Sequence, residues 1–338
     1  MILAGGMSTR LYPLTKQVPK PIVPVVGEPI SGHVMRWLSS FGYDEIAINV
    51  FYLAELVERT FDDGSRYGVH LHYLRERELT GSAGALKQME GWFDSTFVVV
   101  GCDDLTNADL GALVRFHKAQ GALATIGLVE ADEVDQYGVV ILDEDGRITG
   151  FQEKPAKGTE KSRLANTGIY VFEPEIFERI PAGAFYDFGK QVFPELLRDG
   201  LPFYAMRLDG AYWRDIGTPD EYRRATEDVL CGRVVIRGAR ATGIPASAAV
   251  AQDARIEGPV RVGERTQIAS GARVVGPSVI GDGVQIGEGA TLERTIVWNG
   301  SMIGAHATLR DAIVGEGYMV AEGAVLDGAI VANDPAES

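Results

Sequence analysis

Apolar residues along this chain follow two different rules, and the change between them falls near residue 240. Before that point, short runs rich in β-branched and aliphatic residues predict strands at Ile2–Ala4, Glu45–Val50, His70–Tyr73, Thr96–Val100 and Ala124–Val129. Longer segments with apolar residues three or four apart lie between them. Ser31–Phe41 puts Val34, Trp37, Leu38 and Phe41 on one helical face, and Leu53–Phe61 and Asp109–Gln120 read the same way. Asp145-Gly146, set between Gly138–Leu142 and Gly150–Gln152, predicts an inserted antiparallel hairpin. Alternating strands and helices imply an α/β domain with a mostly parallel sheet, whose ligands bind at the carboxyl ends of the strands.

Beyond residue 240 the period becomes six. Ile244, Val250, Ile256, Val262, Ile268, Val274, Ile280, Ile286 and Leu292 follow at unbroken steps, with one residue lost before Val297. The step resumes at Ile303 and Leu309, slips again before Val314, and resumes at Val320 and Leu326. A six-residue period is the mark of a parallel β-helix in which each short strand sends one aliphatic into a stacked core. Three such sides per coil resemble the left-handed hexapeptide helices. The expected domains are therefore 1–235, a β-helix over 240–331 and a short tail over 332–338. The β-helix is expected to serve structure and assembly, as part of a homo-oligomer. Its His306 is assigned no acyl-transfer chemistry.

Composition narrows the function. The 338 residues carry a net charge of −15, against the basic footprint that non-specific nucleic-acid binding needs. No apolar run approaches a membrane span, and the N-terminal residues lack the charged start of a secretory signal, so no membrane partner is expected. Two cysteines, Cys102 and Cys231, cannot build a disulfide framework, which points to a reducing cytoplasm.

The first predicted strand runs into Gly5-Gly6, a turn whose backbone N–H groups can face an anion. Arg10 and Lys20 add a planar fork and a point charge for phosphate oxygens. The order of these pieces is more specific. Ala4-Gly5-Gly6-Met7-Ser8-Thr9-Arg10-Leu11, then Pro13-Leu14-Thr15 and Pro19-Lys20-Pro21, resembles the signature of the sugar-1-phosphate nucleotidyltransferases, also called sugar-nucleotide pyrophosphorylases. Gly81-Ser82-Ala83-Gly84 resembles the loop under the base, and Val98–Leu105 the strand ending in a metal-binding Asp. Tyr137-Gly138-Val139, Glu153-Lys154-Pro155 and Asn166-Thr167-Gly168 resemble the sugar-contacting segments. Trp213-Arg214-Asp215-Ile216-Gly217-Thr218-Pro219 resembles the segment that brings a second metal-binding Asp.

The resemblance implies a Rossmann-like catalytic domain followed by a left-handed β-helix. It also implies transfer of a nucleotidyl group from a nucleoside triphosphate to a sugar 1-phosphate. Catalytic roles fall on Arg10, Lys20, Asp103 and Asp215, and the nucleotide on Leu3, Ala4, Gly5, Gly6, Ser8, Thr9, Arg10, Glu76, Gly81 and Ser82. The sugar phosphate falls on Gly138, Glu153, Lys154, Asn166 and Gly168. Asp103 and Asp215 would hold Mg²⁺, which takes oxygen ligands from one or two carboxylates and from substrate phosphates. The Pro-Lys-Pro segment and the short β-helix look most like the mannose-1-phosphate guanylyltransferases. Uridylyl, thymidylyl and adenylyl enzymes, or a catalytically silent sugar-nucleotide binder, are the alternatives.

Two positions depart from the family's pattern, where Ser8 and Cys102 stand for the usual glycines. Other polar residues read as structural. Asp104 and Asp109 are expected at a turn and a helix N-cap, Thr218 as the cap before Pro219, and His70 and His72 as strand residues.

Overall fold

The computed structural model describes residues 1–132, 134–238 and 241–334. Contacts divide the chain into two compact units, Met1–Met7 with Val34–Asp215, and Ser8–His33 with Ile216–Ser338. Residue 240, expected to open the β-helix, and residues 335–338 of the expected tail lie outside the described residues. No helix among the described residues is long and apolar enough to cross a membrane.

The first unit is built on a nine-stranded mixed sheet. Its main path runs Ile148–Glu153, Gly138–Leu142, Leu164–Phe172, Phe97–Gly101, Ile2–Leu3, Glu45–Val50 and His70–Arg75. Ala124–Glu130 also pairs with Leu164–Phe172, and carries Phe203–Arg207 beside it. The last four strands of the path are parallel, and Ile2, Ile46, Ile48, Val50, Val99 and Val100 are buried there. The expected hairpin forms, but the antiparallel share is larger than the hairpin alone suggests. Leu164–Phe172 runs antiparallel to three neighbours, and its register shifts between Asn166 and Tyr170. The helices Ala54–Phe61 and Leu110–Ala119 fall where the apolar spacing places them, as does Ile30–Ser39. Asp109 caps the second of these, its carboxylate accepting from Ala112 N at 2.8 Å. Rings of Phe172, Phe188, Phe193 and Phe203 stack through the core. Leu3, Val50, Arg75 and Gly101 end the parallel strands at one edge, so the segments Ala4–Gly6 and Cys102-Asp103 and the residue Glu76 all emerge there.

The second unit contains a left-handed parallel β-helix of three five-stranded sheets. Its inward residues are those of the six-residue period: Val262, Ile268, Val274, Ile280, Ile286, Leu292, Val297, Ile303, Leu309, Val314 and Val320 are all buried. Ile244, expected to join them, is 46% exposed because it precedes the first paired strand.

The two slips in the period have one location. Ala249 pairs with Gln267 and Gln267 with Gln285, steps of 18; Gln285 pairs with Met302 and Met302 with Met319, steps of 17. The lost residue belongs to a single corner of the prism. That corner is Gly258-Pro259 and Gly276-Pro277 in the early coils, and Arg294, Asp311 and Gly328 in the later ones. The three later residues take the left-handed conformation, with φ of 48°, 49° and 63°. For Arg294 and Asp311 this costs roughly 1–2 kcal/mol each, and a bidentate ion pair between them, 2.7 Å on both arms, offsets part of it.

Within this unit the helix Pro219–Leu230 starts as expected, with Thr218 accepting from Glu221 N. Tyr222 on that helix is fully buried. Its hydroxyl donates to Pro24 O at 2.6 Å and accepts from Trp298 Nε1 at 2.9 Å. Gly27 lies against the β-helix so closely that a Cβ there would stand 2.1 Å from the Arg261 guanidinium carbon.

Candidate functional site

At the end of the first strand, the turn Ala4-Gly5-Gly6 is tied to a polar chain of which sequence reasoning named only Glu76. Ala4 N donates to Asn49 Oδ1 at 2.9 Å, and Asn49 Nδ2 donates to Glu76 Oε2 at 2.7 Å. Glu76 Oε1 in turn accepts from the hydroxyl of Thr80 at 2.6 Å and its amide at 3.2 Å. Glu76 is 8% exposed and Asn49 4%, and among the described residues the Glu76 carboxylate has no ion-pair partner. Gly5 must be glycine here, because a Cβ would come within 2.6 Å of Glu76 Oε2 and 2.7 Å of Asn49 Nδ2. The Ala4 amide is thus engaged. Those of Gly5 and Gly6 meet no acceptor among the described residues and are open to an anion. Asn49 had one signal: a lone polar residue in the buried run Ile46–Val50.

Gly81 and Ser82 open a short helix, Gly81–Lys87. Gly81 has φ of +79°, and a Cβ there would collide with Tyr186 O at 2.4 Å. The Ser82 hydroxyl donates to Asp187 Oδ2 and accepts from Phe188 N, both at 3.0 Å. Ser82 therefore anchors the loop to the Tyr186–Phe188 segment, and Asp187 is another residue the sequence reading passed over.

The carboxylates gather at the neighbouring strand end. Trp213–Asp215 pairs antiparallel with Asp104–Thr106, which sets Asp215 directly across the ladder from Asp104. Gly101 accommodates them, since a Cβ there would stand 2.9 Å from Asp103 Oδ1 and 2.7 Å from Asp104 Oδ2. Asp104 is not the turn residue expected. It is a strand residue, 6% exposed, because its carboxylate accepts from Trp213 Nε1 at 3.1 Å and so can be buried. The same indole nitrogen also lies 2.9 Å from Thr167 O. Trp213 thereby joins the Asp pair to the irregular stretch of Leu164–Phe172. Asp103 and Asp215 offer carboxylate oxygens only, the donor chemistry of a hard divalent cation. No group of three or more His, Cys, Asp or Glu converges on a metal position among the described residues. Carboxylate oxygens are the protein ligands that Mg²⁺ takes, its remaining positions going to water and substrate phosphates. Cys102 beside them is buried, and its amide bonds Leu3 O at 3.1 Å, so it shapes the strand end without presenting an exposed thiol.

The residues expected on the sugar side meet through register. Glu153 pairs with Gly138, and Ala165 with Val139. Burial pushes the Glu153 carboxyl above its ordinary range, with Asp187 adding to the shift and Lys154 and Lys190 opposing it. Its Oε2 lies where a Cβ on Gly189 would be only 2.5 Å away. Lys154 holds φ of +44°, a left-handed conformation that non-glycine residues adopt at a cost and that clusters at functional sites. Asn166 Oδ1 accepts from Gly168 N at 2.9 Å, and its amide donates to Tyr170 at 3.0 Å. Asn166 pairs with Leu128 and Tyr170 with Ile126, so the register shift leaves Gly168 out of that ladder.

Ser8, Thr9, Arg10 and Lys20 belong to the other unit. Ser8 has φ of 52°, the left-handed region where the family's glycine would be unstrained. Its carbonyl accepts from Leu11 N at 3.1 Å and Thr15 Oγ1 at 2.8 Å, which holds the turn. Arg10 is exposed and Lys20 largely buried. His70 and His72 are exposed strand residues, as expected, His72 bonding Glu45 at 2.7 Å. His306 is exposed at a β-helix corner.

Residues 1–231 match the family described as Nucleotidyl transferase, and residues 256–336 match the GMPPB C-terminal domain. The chain belongs to the nucleotidyl transferase family. Over 290 residues it is 41% identical to a UTP–glucose-1-phosphate uridylyltransferase of Synechocystis sp., covering 79% of this chain and 74% of the relative. A mannose-1-phosphate guanylyltransferase of Mycobacterium tuberculosis is 34% identical over 273 residues, covering 79% and 76%. The catalytic subunit beta of a Drosophila melanogaster mannose-1-phosphate guanylyltransferase is 36% identical over 226 residues, covering 66% and 60%. Among solved structures, a Bacillus anthracis protein assigned as a glucose-1-phosphate thymidylyltransferase superposes with a TM-score of 0.62 at 25% identity. That match covers 71% of this chain and 96% of the other. This nucleotidyl transferase is an enzyme of the sugar-1-phosphate class, and nucleotidyl transferases of this family generally use a divalent metal.

Proposed function

We propose that this nucleotidyl transferase makes GDP-mannose from GTP and mannose 1-phosphate. The observation that carries the base assignment is Glu76, a buried carboxylate beside the Gly5 turn that has no counter-ion among the described residues. A carboxylate only accepts hydrogen bonds. Guanine is the base whose edge sets two N–H donors side by side, at N1 and N2. Uracil flanks its single N3–H with two carbonyl oxygens, which a carboxylate repels. The β-helix match and the guanylyltransferase relatives support the same reading.

In the reaction an oxygen of the sugar phosphate attacks the α-phosphorus in line. A new P–O bond forms, the bond from the α-phosphorus to the bridging oxygen breaks, and pyrophosphate leaves with that electron pair. The nucleophile is already ionised, so no general base is needed. The work lies in neutralising charge and in positioning. Arg10 takes the β- and γ-phosphates and Lys20 the reacting phosphates. Gly5 and Gly6 amides take further oxygens, Lys154 holds the sugar phosphate, and Glu153 accepts sugar hydroxyls. Mg²⁺ on Asp103 and Asp215, when bound, supplies the charge that these side chains do not. We assign the enzyme to the cytoplasm, in keeping with its unbridged cysteines, and its β-helix to a homo-oligomer, which light scattering of full-length protein tests.

UDP-glucose synthesis is the second reading, favoured by the Synechocystis relative. Pyrophosphate release measured over four triphosphates and several sugar 1-phosphates separates the two. Highest kcat/KM with GTP and mannose 1-phosphate is the expected result. Higher kcat/KM with UTP and glucose 1-phosphate overturns the assignment.

A further inference from the structure

We propose that Asn49 is a positioning residue for base selection, holding the Glu76 carboxylate and the Ala4-Gly5 turn in one fixed relation. The inference rests on the reading of Glu76 as the group that meets the base. Among the described residues, Asn49 is the side chain that bonds both parts. Its Oδ1 accepts from Ala4 N at 2.9 Å, and its Nδ2 donates to Glu76 Oε2 at 2.7 Å. It can do so because parallel pairing sets Asn49 opposite Leu3, the last residue of the first strand. Glu76 N itself bonds Val50 O at 3.0 Å, so the chain leaves the strand just where its carboxylate can fold back onto Asn49.

The amide has one acceptor and one donor side, and both are used. Swapping the two ends of an Asn would set its NH₂ against the Ala4 amide and its oxygen against the Glu76 carboxylate, so only one orientation is stable. With Thr80 holding Oε1, the carboxylate plane is fixed on both sides before any base arrives. Oε2, which among the described residues accepts from Asn49 alone, keeps a lone pair for a ligand N–H. Preorganised acceptors of this kind discriminate most strongly, because a base with the wrong edge leaves them unpaired. Gly5 adds a constraint of space: its Cα lies against the Asn49–Glu76 bond, so the position of the phosphate turn and the direction of the base acceptor are set by the same contact.

The test compares kcat/KM for GTP with that for UTP, using mannose 1-phosphate, in N49D, E76Q and the double variant N49D/E76Q. In N49D two carboxylates face each other. The GTP-to-UTP ratio is expected to fall about tenfold, the scale of one charge-assisted hydrogen bond, with the KM for mannose 1-phosphate nearly unchanged. The double variant exchanges donor and acceptor, so the bond to residue 76 re-forms. Its melting temperature should return to near wild type while the GTP-to-UTP ratio stays low. A wild-type ratio in N49D, or in the double variant where N49D does not fold, overturns the role of Asn49. A wild-type ratio in E76Q instead removes the base reading of Glu76. A low ratio in N49D with a wild-type ratio in E76Q separates the two and means that Asn49 acts through the Ala4-Gly5 turn, against the relation stated here.

Discussion

In the β-helix, Ile268, Ile286, Ile303 and Val320 stack at one register, and each meets nearly the surroundings of the one below it. At the edge of the nine-stranded sheet no surroundings repeat. Asn49, Glu76, Asp104 and Thr167 are polar groups buried within a few residues of strand ends, each satisfied by a different partner. Asp103 lies beside Asp104. Stability in the first region is a sum of similar terms, about 1.5–3 kcal/mol for each large aliphatic removed from water. In the second region, burying each polar group costs stability that its hydrogen bonds only balance. The difference shows where the molecule trades stability for a chemical surface, and it can be tested by substitutions that act on one region alone.

The largest separation is expected at the carboxylates. Asp103→Ala or Asp215→Ala should lower turnover by roughly a thousandfold while leaving the melting temperature nearly unchanged. Steady-state kinetics in Mg²⁺ and calorimetry on the same samples check both halves, and wild-type turnover in either variant would remove the metal assignment. In the β-helix the order reverses. Ile268→Asp places a charge in the stacked core and should cost about 3 kcal/mol or more in unfolding free energy. Gln267→Asp, one residue away and facing outward, should stay within about 0.5 kcal/mol. Urea titration distinguishes them, and equal effects would mean that the stack is not the source of stability. A smaller effect is expected on the sugar side. Lys154→Ala should raise the KM for sugar 1-phosphate about tenfold, whereas Arg10→Ala should raise that for the triphosphate. Interchanged effects would reverse the two roles.

The smallest effect concerns pH. His117 is buried in the sheet unit, its Nδ1 2.8 Å from the Thr125 hydroxyl and its Nε2 3.2 Å from Glu173. Burial holds it below the ordinary value of 6.5, with Glu173 opposing and Lys118 adding to the shift. The unfolded chain therefore takes up the proton first. Stability should fall as pH drops below about 6.5, and stay level above it. Melting temperatures from pH 7.5 to 5.5 should show a shallower acid slope in His117→Gln than in wild type; the same slope in both would assign the acid loss elsewhere.

The contrast between the regions also explains what could be read from the amino acids. The β-helix core was legible almost residue by residue because its rule is local and repeats. So were the helix starts at Asp109 and Thr218, which depend on the next three residues. The motif residues expected at the site were named by resemblance, and register brings Gly138 to Glu153 and Asp215 to Asp104. The residues that hold them were not. Asn49 acts on Ala4 across 45 positions, Ser82 on Asp187 across 105, and Trp213 on Asp104 across 109. No spacing rule spans such distances. Asp104 was misplaced for that reason, since a bond from Trp213 helps to satisfy its buried carboxylate.

The corner at Arg294, Asp311 and Gly328 sets a rule for how this stack could grow. A tandem duplication of one coil would have to be 18 residues long if copied from the early turns and 17 if copied from the late ones. A copy of the wrong length would enter the prism out of phase by one position. Every aliphatic beyond the junction would then turn outward and its neighbour inward. The late coils are thus the extensible end for seventeen-residue units. Each added unit would need at its corner a glycine, or a new arginine–aspartate partner, to tolerate the left-handed turn.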